Sequence, residues 1–202
     1  MNVGGIVLCG GRSRRMGRPK AWLPFAGEVM LPRVVRLLAE VVSPLVVVAA
    51  PEQEVPPLPD GVGVVRDEVE GRGPLAGLAA GLRALAGRAD AAYLSSCDVP
   101  LLRPEFVRHM IALLGDAAVC VPRVEGYTHP LAAVYRLGVL ERVERLLAED
   151  RLRPVFLFES VPTRVVEAAE LAEADPGLRS LRNLNTPEEY EAALREAGGE
   201  QR

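Results

Sequence analysis

Lysine is almost missing from this chain. The sequence carries 24 lysines and arginines together, and Lys20 is the single lysine among them. Asparagine is scarce as well, confined to Asn2, Asn183 and Asn185. The three cysteines, Cys9, Cys97 and Cys120, are odd in number and show no C-x-x-C spacing. That argues against a zinc site or a disulfide framework and for free, buried thiols in or at the ends of strands. The formal net charge of -3 leaves no overall basic footprint for nucleic acid. No apolar run approaches the ~20 residues of a membrane-spanning helix. The first residues also lack a basic segment followed by a cleavable apolar stretch. The expectation is a cytoplasmic protein with no membrane and no nucleic-acid partner. Two nucleotide motifs are missing too. No glycine stands at the offsets of G-x-G-x-x-G, and in the Walker A frame Met16 takes the second glycine position while Ala21 follows the lysine.

What is present is concentrated near the start. An apolar run, Val3 to Leu8, reads as a buried strand, and Leu-Cys-Gly-Gly-Arg-Ser-Arg-Arg-Met-Gly-Arg-Pro-Lys follows from Leu8 to Lys20. Gly10 and Gly11 allow a sharp turn and let backbone N–H groups approach a ligand closely. The arginines and Lys20 add positive charge beside that turn. Such a loop suits an anion, with a triphosphate as the first candidate. An ordinary glycine turn in an arginine-rich chain is the plainer alternative. Lysine differs from arginine in being a compact, flexible point charge that can follow a phosphate as its charge shifts.

The 202 residues, 49% of them apolar, suffice for one packed domain. Apolar spacing predicts helices over Met30–Val42, Pro74–Leu85, Pro104–Leu114 and Leu137–Leu147, with a short one over Arg153–Glu159. Continuous apolar runs predict buried parallel strands over Leu45–Ala50, Val62–Val65, Ala91–Cys97 and Ala117–Val121. Thr128–Tyr135 reads as an antiparallel strand at the sheet edge and Thr163–Glu167 as a last strand. Ala26-Gly27-Glu28 reads as a turn and Pro51–Pro59 as a surface loop. Thr186 and Pro187 suit the N-cap and first position of a terminal helix from Glu188 to about Glu196. The small residues of the 74–85 helix point to close packing or to a flat ligand, with packing the better reading. No repeat or linker divides the chain, so residues 1–202 are expected to form one domain with a frayed tail over 198–202. The alternation predicts an α/β fold in three αβα layers, Rossmann-like, with a mostly parallel sheet and one antiparallel strand.

In such sheets ligands bind outside the carboxyl ends of the strands. The opening loop, Asp67 and Asp98 all fall at that rim. Asp98 follows Tyr93-Leu-Ser-Ser-Cys97 directly and Pro100 stiffens its turn. A carboxylate there, opposite a phosphate loop, suits Mg²⁺, which takes one or two carboxylates with substrate phosphates and water. A turn-capping role is the alternative. Asp67 could accept N–H groups from a base, bind the metal or stabilise its turn. His129 is a candidate pocket residue or a structural one, and His109 a helix-surface residue. Asn183 and Asn185 could meet a ligand or fix the turn before the last helix, with a structural role the better reading for at least one of them.

Together these residues resemble a known family. Leu8 to Lys20 is similar to the L-A-G-G-x-S-x-R-M-G-x-x-K signature of nucleotidyltransferases with a Rossmann-like fold. Gly73-Pro-Leu-Ala-Gly77, Cys97-Asp-Val-Pro100, His129-Pro-Leu131 and Asn183-Leu-Asn-Thr-Pro187 follow in order. The ordered set resembles the molybdenum cofactor guanylyltransferases. That resemblance implies that Leu8, Cys9 and Gly10 contact the nucleotide, that Lys20 binds its phosphates, that Asp67 contacts GTP, and that Asp98 binds Mg²⁺ and GTP. Gly11 belongs to the same nucleotide-binding turn. It implies GTP and molybdopterin as substrates, with Lys20 and Asp98 as the catalytic groups. Transient contact with molybdoenzyme maturation proteins is expected, and the chain is expected to act as a monomer. Cys9 replaces a usual alanine, Arg18-Pro19 stands where many members carry an acidic residue, and an asparagine some members place after the second strand has no match near Ala50-Pro51.

Overall fold

The computed structural model describes residues 1–10, 19–67 and 71–199. Strand β1 (Val3–Leu8) is followed by a two-stranded hairpin, β2 (Pro24–Phe25) and β3 (Glu28–Val29), and by helix α1 (Met30–Ala39). Next come β4 (Leu45–Ala49), β5 (Gly63–Arg66), α2 (Pro74–Leu85), β6 (Ala91–Ser96), α3 (Pro104–Ala112) and β7 (Val119–Val124). The second half holds β8 (Tyr127–Thr128), β9 (Ala133–Arg136), α4 (Leu140–Ala148), α5 (Val155–Phe158), β10 (Thr163–Glu167), α6 (Ala168–Leu171) and α7 (Pro187–Gly199).

The main sheet runs β10-β7-β9-β6-β1-β4-β5, with β8 added to β7. β1 pairs in parallel with both β4 and β6, and β5 and β10 extend the sheet in parallel. β9 lies antiparallel to β6 and β7, the one reversed strand along that path. Alternation along β1 builds the three layers, because successive side chains of a strand point to opposite faces. Val7 joins the cluster under α1 and α3, with Val34, Val35, Leu38, Phe106 and Met110. Ile6 joins the cluster under α2, α4 and α5, with Leu78, Leu82, Leu146 and Leu157. Both faces are therefore covered, and the expected three-layer αβα architecture with a mostly parallel sheet stands.

The small residues of α2 serve packing. A Cβ on Gly81 would lie 2.6 Å from Ile6 Cγ2, and one on Gly77 would lie 2.9 Å from Leu8 Cδ2. The helix can sit on β1 only because those side chains are missing. The same closeness leaves Gly77 bordering the cavity described below.

Two expectations change. The Thr128–Tyr135 segment is not one edge strand: Pro130 opens a short 3-10 turn, and β9 then runs through the interior of the sheet. Ala133, Val134 and Tyr135 are each at most 1% exposed, and the strand is interior because it pairs with β6 on one side and β7 on the other. Ala26-Gly27 does form a turn, but it closes the β2–β3 hairpin. Phe25 of the hairpin and Met30 at the start of α1 pack with Leu101, Leu184 and Ala193, which docks α7 against them. The expected cap of α7 is present: Thr186 Oγ1 accepts from the Glu189 N–H at 3.2 Å, and Glu189 Oε2 accepts from the N–H groups of Asn185 and Thr186.

Candidate active site

The chain leaves β1 and returns through β4 and β5 on one side, then crosses to β6 on the other. Adjacent connections depart in opposite directions between β1 and β6, and that is where an open α/β sheet forms its crevice. A cavity of about 830 Å³ opens there, within the size range of small-molecule sites. Leu8, Cys9, Gly10, Lys20, Asp67 and Asp98 all line it, so six of the seven sequence candidates converge on one space. Gly11 lies outside the described residues, as do residues 12–18 of the loop.

Gly73 and Pro74, at the N-terminus of the twelve-residue α2, form another wall. The first turn of that helix holds no acidic residue. The first N–H groups of a helix lack intrahelical partners, and with the positive dipole end they favour an anion in the cavity.

Lys20 and Asp98 are directly paired. Lys20 Nζ donates to Asp98 Oδ2 at 2.6 Å and to Asn185 Oδ1 at 2.9 Å. The other carboxylate oxygen, Asp98 Oδ1, accepts from Ser96 Oγ at 2.6 Å and from Asn183 Nδ2 at 2.9 Å. Leu184 N–H donates to the Asp98 carbonyl at 2.9 Å, which straps the Asn183–Asn185 segment to the end of β6. The two lining asparagines thus bond to side chains of this cavity: Asn183 orients the carboxylate and Asn185 the ammonium.

The residues around Asp98 fit a divalent ion of the magnesium type. One carboxylate oxygen already faces a positive group, and the described residues contain no cluster of three or more His, Cys, Asp or Glu side chains that could hold a metal alone. A single carboxylate beside an anion-binding wall suits an ion carried in part by substrate phosphates and water.

Cys9 and Cys97 form the floor. The Cys9 N–H donates to Val48 O at 2.8 Å and the Cys97 N–H to Leu8 O at 3.0 Å, so both continue the strand ladders. Their side chains are hydrogen-bonded to each other. That bond, with a 3.2 Å hydrogen bond from Gln53 Nε2 and the charge of Arg66, holds the Cys9 thiol below its ordinary range against the opposing effect of burial. Its bond to Cys9 and its burial beside Asp98 push Cys97 well up. All three cysteines are free and buried.

Asp67 sits just past β5, with its N–H donating to Ala49 O at 2.9 Å. His129 does not line the cavity; Leu131 of the same His-Pro-Leu run does. Burial lowers the His129 pKa. His109 Nε2 meets the Glu170 carbonyl at 3.0 Å, away from this space.

Ser96 and Gln53 carry no functional expectation from the sequence, and Asn183 carries two. Ser96 is a hydroxyl at the end of a buried strand, and the Ser95-Ser96 pair in an otherwise apolar run was the available signal. Asn183 reads from the sequence as a ligand group or a turn residue, and its bond to Asp98 is neither. Gln53 lies in the proline-rich segment read only as a surface loop. Its Nε2 donates to Cys9 O at 2.9 Å and its Oε1 accepts from Ala50 N–H at 3.3 Å, so a carboxamide does stand on this rim.

The model of the MobA-like NTP transferase domain matches residues 5–183. A protein of Mycobacterium avium called probable molybdenum cofactor guanylyltransferase is 43% identical over 155 residues, covering 73% of this chain and 76% of its own. A Mycobacterium ulcerans protein of the same name is 36% identical over 200 residues, covering 96% and 94%. Among solved structures, molybdopterin-guanine dinucleotide biosynthesis protein A of Archaeoglobus fulgidus superposes with a TM-score of 0.80 at 22% identity, covering 98% of this chain and 100% of that one, which shows a shared fold. With the match spanning the cavity, the strand order and most of the length, this chain belongs to the MobA-like NTP transferases and, within them, to the molybdenum cofactor guanylyltransferase family.

Proposed function

We propose that this chain transfers GMP from GTP to molybdopterin and releases pyrophosphate. The observation that carries the reading is the single lysine of the chain, held by Asp98 and Asn185 at the crevice between β1 and β6. An ammonium fixed there can exchange its carboxylate partner for a phosphate. The guanine and pterin parts of the reading follow the names of the relatives.

The reaction is an in-line attack by a phosphate oxygen of molybdopterin on the α-phosphorus of GTP, with the P–O bond to pyrophosphate breaking. A phosphate nucleophile is already ionised near neutral pH, so the site needs no strong general base. Catalysis is positioning and charge neutralisation. The N–H groups of the α2 N-terminus are offered to the triphosphate. Lys20 neutralises charge on the phosphates, and its flexible stem lets it follow that charge toward the leaving group. Asp98, oriented by Ser96 and Asn183, would hold Mg²⁺ together with the nucleotide. When bound, that ion supplies Lewis-acid stabilisation of the phosphoryl oxygens. Leu8, Cys9 and Gly10 bring the strand end against the nucleoside, Gly11 is assigned to the same contact by the family resemblance alone, and Asp67 accepts N–H groups of the base from the opposite rim. The chain acts as a monomer in the cytoplasm and meets molybdoenzyme maturation proteins transiently.

The test is pyrophosphate release with molybdopterin and GTP, CTP or UTP in Mg²⁺. Turnover with GTP well above the other two supports the reading. Faster turnover with CTP would replace it with a cytidylyltransferase, and nucleotide binding without pyrophosphate release would make the chain an accessory protein.

A further inference from the structure

The reaction just described makes no chemical use of the two thiols on the cavity floor. Cys9 and Cys97 stand one step beyond the last paired residues of β1 and β6, Leu8 and Ser96. Side chains at matched positions of adjacent parallel strands point to the same face, and both thiols join the cluster on the α1 side. A strand spacing of about 4.8 Å lies within the Cα separations that a disulfide spans, about 4.4–6.8 Å. They are 5% and 7% exposed, and that exposure opens onto the cavity. Cys120 is fully buried on β7, two strands removed from β6, and does not line the cavity.

We propose that Cys9 and Cys97 form a reversible dithiol–disulfide modification site, oxidised by a hydroperoxide entering through the nucleotide cavity, and that the oxidised form binds nucleotide poorly. The Cys9 sulfur attacks one peroxide oxygen, the O–O bond breaks, and Cys9 becomes a sulfenic acid as the other oxygen leaves as water. The Cys97 sulfur then displaces the sulfenic hydroxyl, which leaves as a second water, and the S–S bond closes. Two thiols lose two electrons and two hydrogens, and one hydrogen peroxide is reduced to two waters. A dithiol reductant reverses the step. The bond forms between the residue that follows Leu8 and the residue that precedes Asp98, so it draws together the strand ends that shape the site. It also removes the free Cys9 thiol that Gln53 holds at 3.2 Å. The loss of nucleotide binding rests on the function proposed above; the formation of the bond does not.

The experiment uses the full-length chain treated with hydrogen peroxide, alkylated under denaturing conditions and analysed by intact mass and peptide mapping. The expected result is loss of two hydrogens, one crosslinked peptide pair containing Cys9 and Cys97, an alkylated Cys120, and full reversal by dithiothreitol. Added oxygens on one cysteine with its neighbour still alkylatable, a link through Cys120, or unchanged mass would overturn the proposal. Cys97→Ser should stop crosslinking and leave a sulfenic acid trappable at Cys9; continued crosslinking in that variant would also overturn it. GTP at about ten times its dissociation constant should slow crosslinking about tenfold. A normal Cys9–Cys97 crosslink that GTP does not slow would uphold the thiol pair and count against the nucleotide site itself.

Discussion

Lys20 Nζ lies 2.6 Å from Asp98 Oδ2 and 2.9 Å from Asn185 Oδ1, so one ammonium ties together residues separated by 78 and 165 positions. The carboxylate side chain is 12% exposed and the lysine side chain 16%, which shields the pair from salt. This arrangement stores both charges of the proposed mechanism in mutual contact. In the proposed mechanism an incoming triphosphate would compete with Asp98 for Lys20, and release of Asp98 Oδ2 would leave an anionic oxygen for a cation arriving with the nucleotide. Nucleotide binding and assembly of the proposed catalytic groups would then be one event.

Asp98→Asn tests that exchange. The amide preserves an acceptor for Ser96 and Asn183 and removes the negative charge. Turnover should fall about 10²–10³-fold, the scale for losing one preorganised electrostatic group. GTP binding in the presence of EDTA should hold or tighten, since Lys20 no longer has a carboxylate competing for it. Pyrophosphate-release kinetics with equilibrium nucleotide titrations check both. Near-normal turnover would exclude Asp98 from the chemistry.

Lys20→Arg keeps the charge and changes its geometry. The planar fork matches a carboxylate bidentately and holds it, whereas the ammonium offers three rotatable donors on a flexible stem. Turnover at saturating GTP should fall about 10²-fold, and Lys20→Met should fall at least as far. A rise in KM with an unchanged rate at saturation would reduce Lys20 to a binding group.

Much of this site was legible in order along the chain. Lys20 stood out by scarcity, Asp98 by its place after a buried run, and Asp67 by its place after a shorter one. Their convergence followed from the rule that places ligands at the carboxyl ends of parallel strands. The supporting residues were not legible, because their partners are distant. Nothing local tells Asn183 that it will donate to Asp98, 85 positions away, or tells Gln53 that it will reach the Cys9 carbonyl across 44. The position of β9 was hidden for a related reason. A short apolar run after Pro130 has the same pattern at an edge and in the interior, and only pairing on both sides decides.

Gly81→Ala probes the closest helix–strand approach. Alanine favours the helix interior by about 1 kcal/mol. Its Cβ, however, would meet three Ile6 side-chain carbons at 2.6–2.9 Å inside a fully buried contact. Overpacking of this kind costs about 1–3 kcal/mol, so the net effect should be a loss of about 1 kcal/mol. For a chain of this size that corresponds to a melting-point drop of about 2–4 °C. Pairing it with Ile6→Val should recover part of the loss; an unchanged melting temperature in Gly81→Ala would show that α2 can lift off β1 freely.

Two buried tyrosines set the alkaline limit of the fold. Burial pushes the Tyr93 pKa far up, with the nearby Asp175 carboxylate adding to it, and burial alone does the same for Tyr135. Burial also pushes the Cys120 thiol up to about 12. Each of these groups stays protonated in the folded chain after its unfolded counterpart has ionised. The unfolded state then binds fewer protons, and stability falls as pH rises. For the tyrosines the loss begins above about pH 10 and approaches about 1.4 kcal/mol per pH unit for each ring. The two rings differ at neutral pH. Tyr135 Oη donates to the Pro130 carbonyl at 2.8 Å, whereas Tyr93 Oη is buried with no hydrogen-bond partner among the described residues. Tyr135→Phe should therefore cost about 1 kcal/mol at pH 7, while Tyr93→Phe should be neutral or stabilising, because it removes an unsatisfied buried hydroxyl. Denaturant titrations from pH 7 to 11 would read both effects: each variant should flatten the alkaline slope, and only Tyr135→Phe should lower the plateau.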